Sequence, residues 1–261
     1  MGQLNYEVPG YSTIKATRSI VKMGILVNGE GLGYNANSFF WPCCRRMLSV
    51  TTSPLLSAQQ LSCERGGLPL FDELDFTVQA GELLQVVGPN GSGKTTLLRL
   101  LAGLSASYTG KILWHGSAAR FKKPRFLYIG HRIGIKALLS PLENLRWYMA
   151  AVSTSGKVSD QQILQALAYW QLQGCEHHPC YQLSAGQQQR VALSRLLLHP
   201  APVWLLDEPF TAIDQTGIAQ LETLLLSHAE HGGAAVLTTH HQFRAQQHLR
   251  FLVLQSAPGM D

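Results

Sequence analysis

Lys94 and Thr95 end the run GPNGSGKT, Gly88 to Thr95, and Asp207 and Glu208 directly follow the apolar run Val203-Trp204-Leu205-Leu206. A cation and a hydroxyl closing a glycine-rich turn, with two adjacent carboxylates elsewhere, are the parts that phosphoryl transfer needs. Gly88, Gly91 and Gly93 would let backbone amides turn inward around polyanionic oxygens. Pro89, Asn90 and Ser92 complete the loop, and Thr96 opens the helix whose first N–H groups add to the cradle. Lys94 would reach the β- and γ-phosphates of ATP, and Thr95 would hold Mg²⁺.

The carboxylates complement that loop. An acid at the carboxyl end of a buried strand can bind Mg²⁺ through water, which is the role expected of Asp207. The next acid, Glu208, can polarise an attacking water. Four apolar residues leading up to the pair argue against ordinary solvated surface. His240, delivered by the apolar strand Ala234 to Thr239, would contact the γ-phosphate and orient the water. LSAGQQQR, Leu183 to Arg190, puts small residues at a helix start and so makes a second anion site. With the first site already filled, Ser184, Gly186 and Gln187 are expected to cap a nucleotide held by another copy.

These residues need a scaffold. The apolar run Leu83 to Val87 before the loop and the periodic run Thr96 to Leu101 after it read as strand, turn and helix. Strands are also expected at Leu61 to Cys63, Leu74 to Val78, Gly110 to Trp114, Phe126 to Ile129, Val203 to Leu206 and Leu249 to Leu254. Ser140-Pro141-Leu142-Glu143 carries a helix-start signature, with Ser at the cap and Glu three residues on. No strand is expected between Ile135 and Cys180, which makes that stretch a helical insertion. Residues 1–56 show no sustained period, and they are expected to be a poorly defined, disordered extension, with Met47 a candidate true start. Residues 57–261 form the folded domain, with the helical part at about 135–190.

Composition narrows the classes. The chain has 261 residues and a formal charge of +5, with the excess concentrated before residue 60. No basic tract interleaves with aromatics, so no nucleic-acid partner is expected. No apolar run is long enough to span a bilayer, so any membrane role is borrowed from a partner. The five cysteines lack a zinc spacing and fit a reducing compartment. Cys175, His177, His178 and Cys180 read as a polar inter-helix loop before they read as a metal site.

The three motifs in this order, with TAID at Thr211 to Asp214 and His240, resemble the ATP-binding subunit of an ABC transporter over about residues 58–254. The fold class implied is α/β, an ABC-type P-loop ATPase core with an antiparallel edge sheet and an inserted helical subdomain. LSCERGG at Leu61 to Gly67, YIGHRIGIK at Tyr128 to Lys136, LENLRWY at Leu142 to Tyr148 and TTHHQF at Thr238 to Phe243 are similar to the haem-exporter ATPases of bacterial cytochrome c maturation. That resemblance implies a homodimer of ATPases docked under integral membrane subunits on the cytoplasmic face of the inner membrane. It also implies haem handled by the complex rather than bound by this chain. Three positions depart from the usual pattern. His131 stands where the Q-loop glutamine is expected, Arg65 where an adenine-stacking aromatic is, and Ala185 where the first signature glycine is. Arg65 could stack through its planar guanidinium. Another transporter's ATPase, or a soluble ABC protein, are the competing readings.

Overall fold

The computed structural model describes residues 4–6, 14–16, 53–115, 117–118, 126–152, 158–244 and 247–255. The stretch 1–52 lies outside the described residues except for β1 (Leu4–Tyr6) and β2 (Ile14–Ala16), which pair antiparallel with Leu4 opposite Ala16. The expectation for Met47 falls outside them.

Leu55 is buried and donates to Val78 O at 2.9 Å. An antiparallel sheet follows, in the order β4-β3-β6-β7, from β3 (Leu56–Arg65), β4 (Leu68–Val78), β6 (Thr109–Trp114) and β7 (Ser117–Ala118). β3 is much longer than the three residues the sequence suggests. Gln59 and Gln60 interrupt its apolar alternation, and Gln60 takes a left-handed φ of 46° at a register shift. A bulge there carries the strand through a polar pair that pattern reading takes for an end.

The second sheet is parallel, in the order β11-β5-β10-β9-β8, built from β5 (Leu83–Val87), β8 (Phe126–Ile129), β9 (Val203–Asp207), β10 (Ala234–Thr238) and β11 (Leu249–Val253). Every residue of β5, β9 and β10 is buried, as expected of strands covered on both faces. Alternation divides them between two cores. Leu84, Val86, Val203, Leu205 and Val236 pack with the antiparallel sheet and α1 (Lys94–Leu101). Leu83, Trp204, Leu206, Ala235 and Leu237 pack on the other side, with the remaining helices.

Those helices are α2 (Pro141–Val152), α3 (Asp160–Tyr169), α4 (Ala185–Leu193), α5 (Arg195–Leu198) and α6 (Gln215–Glu230). Among the described residues no strand lies between β8 and β9. α2 starts as its sequence signature predicts. Ser140 Oγ accepts from Glu143 N at 3.2 Å and Glu143 Oε2 accepts from Ser140 N at 2.8 Å, a reciprocal cap. Among the described residues no helix is long and apolar enough to cross a membrane.

Strand order is what positions the site. β10 lies between β5 and β9, and Thr238 is in register with Val86 on one side and Asp207 on the other. The carboxyl ends of three adjacent strands therefore deliver the glycine-rich loop, the Asp207-Glu208 pair and His240 to one edge, where ligands bind in open α/β sheets.

Candidate nucleotide site

Ten of the predicted site residues line one cavity of about 250 Å³: Arg65, Asn90, Gly91, Gly93, Lys94, Thr95, Thr96, Asp207, Glu208 and His240. Leu70 and Thr238 complete its wall.

The loop's shape follows from close approach. Gly88 has φ 155°, and a Cβ there would meet Leu254 O at 2.4 Å and Ser92 Oγ at 2.8 Å. Gly93 has φ 90° and sits against Leu70 and Phe71, so a side chain would push α1 off the hairpin that backs it. Lys94 Nζ donates to Gly88 O at 2.8 Å and Pro89 O at 2.9 Å, bracing the loop from within. Burial pulls the Lys94 ammonium below the usual lysine range, and Glu208 and Asp207 pull the other way. Ser92 is buried beneath the loop rather than on its phosphate side, because its side chain fills the space left by the missing Cβ of Gly88.

Asp207 is 3% exposed, and Oδ1 accepts from Thr238 Oγ1 at 2.7 Å and from Thr95 Oγ1 at 3.2 Å. Oδ2 is buried without a partner among the described residues. An unsatisfied carboxylate oxygen beside a hydroxyl is a hard oxygen donor set, and it suits Mg²⁺. Glu208 takes a left-handed φ of 51°, held by its N–H donating to Thr238 O and Oγ1, both at 3.0 Å. A conformation costing roughly 1–3 kcal/mol in a non-glycine residue turns the carboxylate into the cavity. His240 Nε2 stands 3.8 Å from Glu208 Oε1, close enough to share a small reactant and too far for a direct hydrogen bond.

Of the seven predicted residues that do not line the cavity, Gly88, Pro89 and Ser92 belong to the loop itself, and the other four lie outside it. His131 lies just past β8 and is exposed. Ser184, Gly186 and Gln187 open α4 away from the cavity, where Ser184 Oγ accepts from Gln187 N at 3.2 Å and Gln187 Oε1 from Ser184 N at 2.9 Å. Gly186 has a reason within its own chain, since a Cβ there would meet Ala212 O at 2.4 Å. α4 is tied to the segment after Glu208. Gln189 Nε2 donates to Pro209 O at 3.1 Å, and Arg190 pairs with Asp214 at 2.5 Å. Asp214 also accepts from Gly217 N as the cap of α6, and that bond, then Arg190, holds its carboxyl below the usual range.

Thr238, Gln85, Asn144 and Arg195 escaped the sequence reading. Gln85 donates to Thr239 O at 3.1 Å. It is the one polar residue in the β5 run, and that oddity could have flagged it. Asn144 Nδ2 donates to Lys136 O, Leu139 O and Ser140 O, while its Oδ1 accepts from Lys136 N. Buried Arg195 donates to Ile133 O and Gly134 O, both at 2.9 Å, and lies over the Tyr148 ring. Together they pin residues 133–140 into a fixed shape. No sequence pattern marks either one, because Arg195's partners are carbonyls far along the chain and Asn144's belong to an irregular loop whose shape appears only on folding.

A phosphate loop, a strand-end Asp-Glu pair and a histidine on the intervening strand, with a small-residue helix start held against the following turn, define an ATPase of ABC type. The family model described as ABC transporter matches residues 71–211. The fold is shared with the dimeric post-hydrolysis state of the ATP-binding cassette MJ0796 bound to ADP and Pi, with TM-score 0.68 and 23% identity over 77% of this chain and 96% of that one. It is shared as well with an ATP-binding subunit of an ABC transporter, with TM-score 0.69 and 25% identity over 77% and 88%. Cytochrome c biogenesis ATP-binding export protein CcmA of Hahella chejuensis is 48% identical over 77% of this chain and 96% of its own length. The protein of the same name from Pseudomonas fluorescens is 50% identical over 73% and 90%. The chain belongs to this family of ABC transporter ATP-binding subunits, and it binds and hydrolyses ATP.

Proposed function

We propose that the chain is the ATP-hydrolysing subunit of a membrane complex that exports haem or releases it to a chaperone during cytochrome c biogenesis. The convergence of Lys94, Thr95, Asp207, Glu208 and His240 on one cavity is the observation that carries the enzymatic part. Gly88, Pro89, Asn90, Gly91, Gly93 and Thr96 cradle the phosphates, Ser92 supports the loop from beneath, and Arg65 meets the base. Thr95 and Asp207 would hold Mg²⁺, which would supply charge neutralisation for the phosphates. Glu208 takes a proton from the attacking water, and His240 steadies that water against the γ-phosphate.

Two copies work as a head-to-tail pair, in which Ser184, Gly186 and Gln187 of one protomer close over the nucleotide of its partner. Asn90 is exposed, as is Ser184, whereas Ser92 is buried. Cysteines at 90 and 184 should therefore crosslink between chains when ATP is added and hydrolysis is blocked. Each single-cysteine variant controls for partly exposed Cys175. Crosslinks confined to one chain would contradict the pairing.

The membrane partner docks where residues 133–140 meet α2. Leu138 is 83% exposed and Trp147 54% exposed, with Lys136 Nζ 4.2 Å above the Trp147 ring. With Ala137 and Leu139 they line an apolar cleft of about 470 Å³. Ile133 and Ile135 pack against the core, which separates docking from structural residues. His131, exposed just past β8, precedes the same loop. Docked there, the chain sits peripherally on the cytoplasmic face of the bacterial inner membrane, and haem stays with the membrane subunits. Purification of tagged chain from solubilised host membranes should bring down a cytochrome c maturation membrane subunit. Leu138→Asp should lose it with melting nearly unchanged, whereas Ile133→Asp should lower stability by roughly 2–5 kcal/mol. Recovery with an unrelated permease would overturn the haem pathway and leave the ATPase intact.

A further inference from the structure

His240 has a largely exposed side chain, so its place opposite Glu208 depends on the backbone that carries it. That backbone is tied down one residue later. His241 Nε2 donates to Glu222 Oε1 at 2.6 Å, and the same oxygen accepts from Arg244 N at 3.3 Å. Glu222 is 7% exposed, in the middle of α6. A carboxylate there is costly unless donors satisfy it, and those donors come from the segment just after β10. His241 N also donates to Thr239 Oγ1 at 2.9 Å.

The His241 ring reaches in a second direction. It lies 4.5 Å from the Phe210 ring, and Phe243 meets Phe210 edge-on at 5.5 Å. Phe210 follows Glu208 by two residues. One imidazole therefore joins α6, the histidine-bearing segment and the stretch leaving the catalytic carboxylate. Glu222 does not line the cavity, and nothing in nucleotide binding accounts for a buried acid at that point.

We propose that Glu222 is a positioning residue for hydrolysis, acting through His241 to hold His240 at its working distance from Glu208. This rests on the assignment of Glu208 and His240 to hydrolysis. Since displacement of about 1 Å can cost up to 10²-fold in rate, loss of the tie should lower kcat without weakening nucleotide capture. The two side chains share one hydrogen bond, so removing both should cost no more than removing the more damaging one.

ATP turnover and thermal melting of the full-length chain test it. Glu222→Ala and His241→Ala should each lower kcat roughly tenfold with KM for ATP within about twofold, and the double variant should be no slower than the worse single one. His241→Gln, which keeps a side-chain N–H near the Nε2 position, should recover most of the rate, and it remains informative if Glu222→Ala does not fold. A lowered melting temperature with wild-type kcat would make the pair merely structural and overturn the proposal. Multiplicative losses in the double variant, or KM rising at constant kcat, would overturn it as well. A wild-type chain that does not turn over ATP would instead sink the assignment of the site itself.

Discussion

Glu208→Gln should bind ATP as the wild type does and turn it over roughly 10² times more slowly or worse. The amide has the size and shape of the carboxylate, so the backbone bonds from residue 208 to Thr238 O and Oγ1 survive. The left-handed φ of 51° is no worse for Gln than for Glu. Lys94, Thr95 and the loop amides, which carry the phosphates, are untouched. What disappears is a base able to take a proton from water, and His240, 3.8 Å away, loses the anion it faces. Nucleotide binding and phosphate release, measured side by side on the purified protein, separate the two effects. Unchanged turnover would remove Glu208 from the reaction, and lost binding would show that it holds nucleotide instead.

The second large effect concerns stability and lies on the opposite face of the sheet. His228, on α6, stacks on Trp204 with ring centroids 3.7 Å apart and planes within 4°. Desolvation is the main cause that lowers its pKa from 6.5 to about 4, partly offset by hydrogen bonds that the ring donates to the backbone at Pro202 and Ala234. The unfolded chain takes up this proton near pH 6.5 and the folded chain only near pH 4. Within that window the unfolded state holds more protons. The contribution of His228 is therefore complete above pH 6.5 and declines as pH falls, by roughly 3 kcal/mol across the window. Denaturant unfolding at pH 7 and pH 4.5 should show most of that loss, and His228→Leu should flatten it. The exposed carboxylates of Asp214 and Glu143, which their hydrogen bonds hold low, titrate alike in both proteins and drop out of the comparison. Equal slopes in wild type and variant would refute the assignment.

Much of the catalytic edge could be read before any coordinates, because chemistry and local geometry coincide there. A loop that must wrap phosphate needs glycine where a Cβ would strike Leu254 or Phe71. A strand buried on both faces has to be a continuous apolar run, so the polar residues that break it stand out. Ser140 and Glu143 announce α2 because capping is a contact between residues three apart. The length of β3 was hidden by Gln59 and Gln60, where a bulge keeps pairing alive across a pattern that reads as a break. Ser92 looked like one more phosphate contact, and its burial depends on the void at Gly88.

From residue types and spacing alone came the phosphate loop, the Asp207-Glu208 pair, the histidine strand and the order of elements, since each is a property of a few neighbouring residues. Only the tertiary structure decided which strand lies between which, and hence that Thr238 bonds Asp207 from the adjacent strand. It also decided that Asn144 and Arg195 lock residues 133–140 and leave Leu138 bare, and that Glu222 meets His241 across 19 residues of chain. The physical reason is the same in each case. These side chains answer to the unmet hydrogen bonds of loop backbone and buried charge, and those needs arise only when the chain has packed.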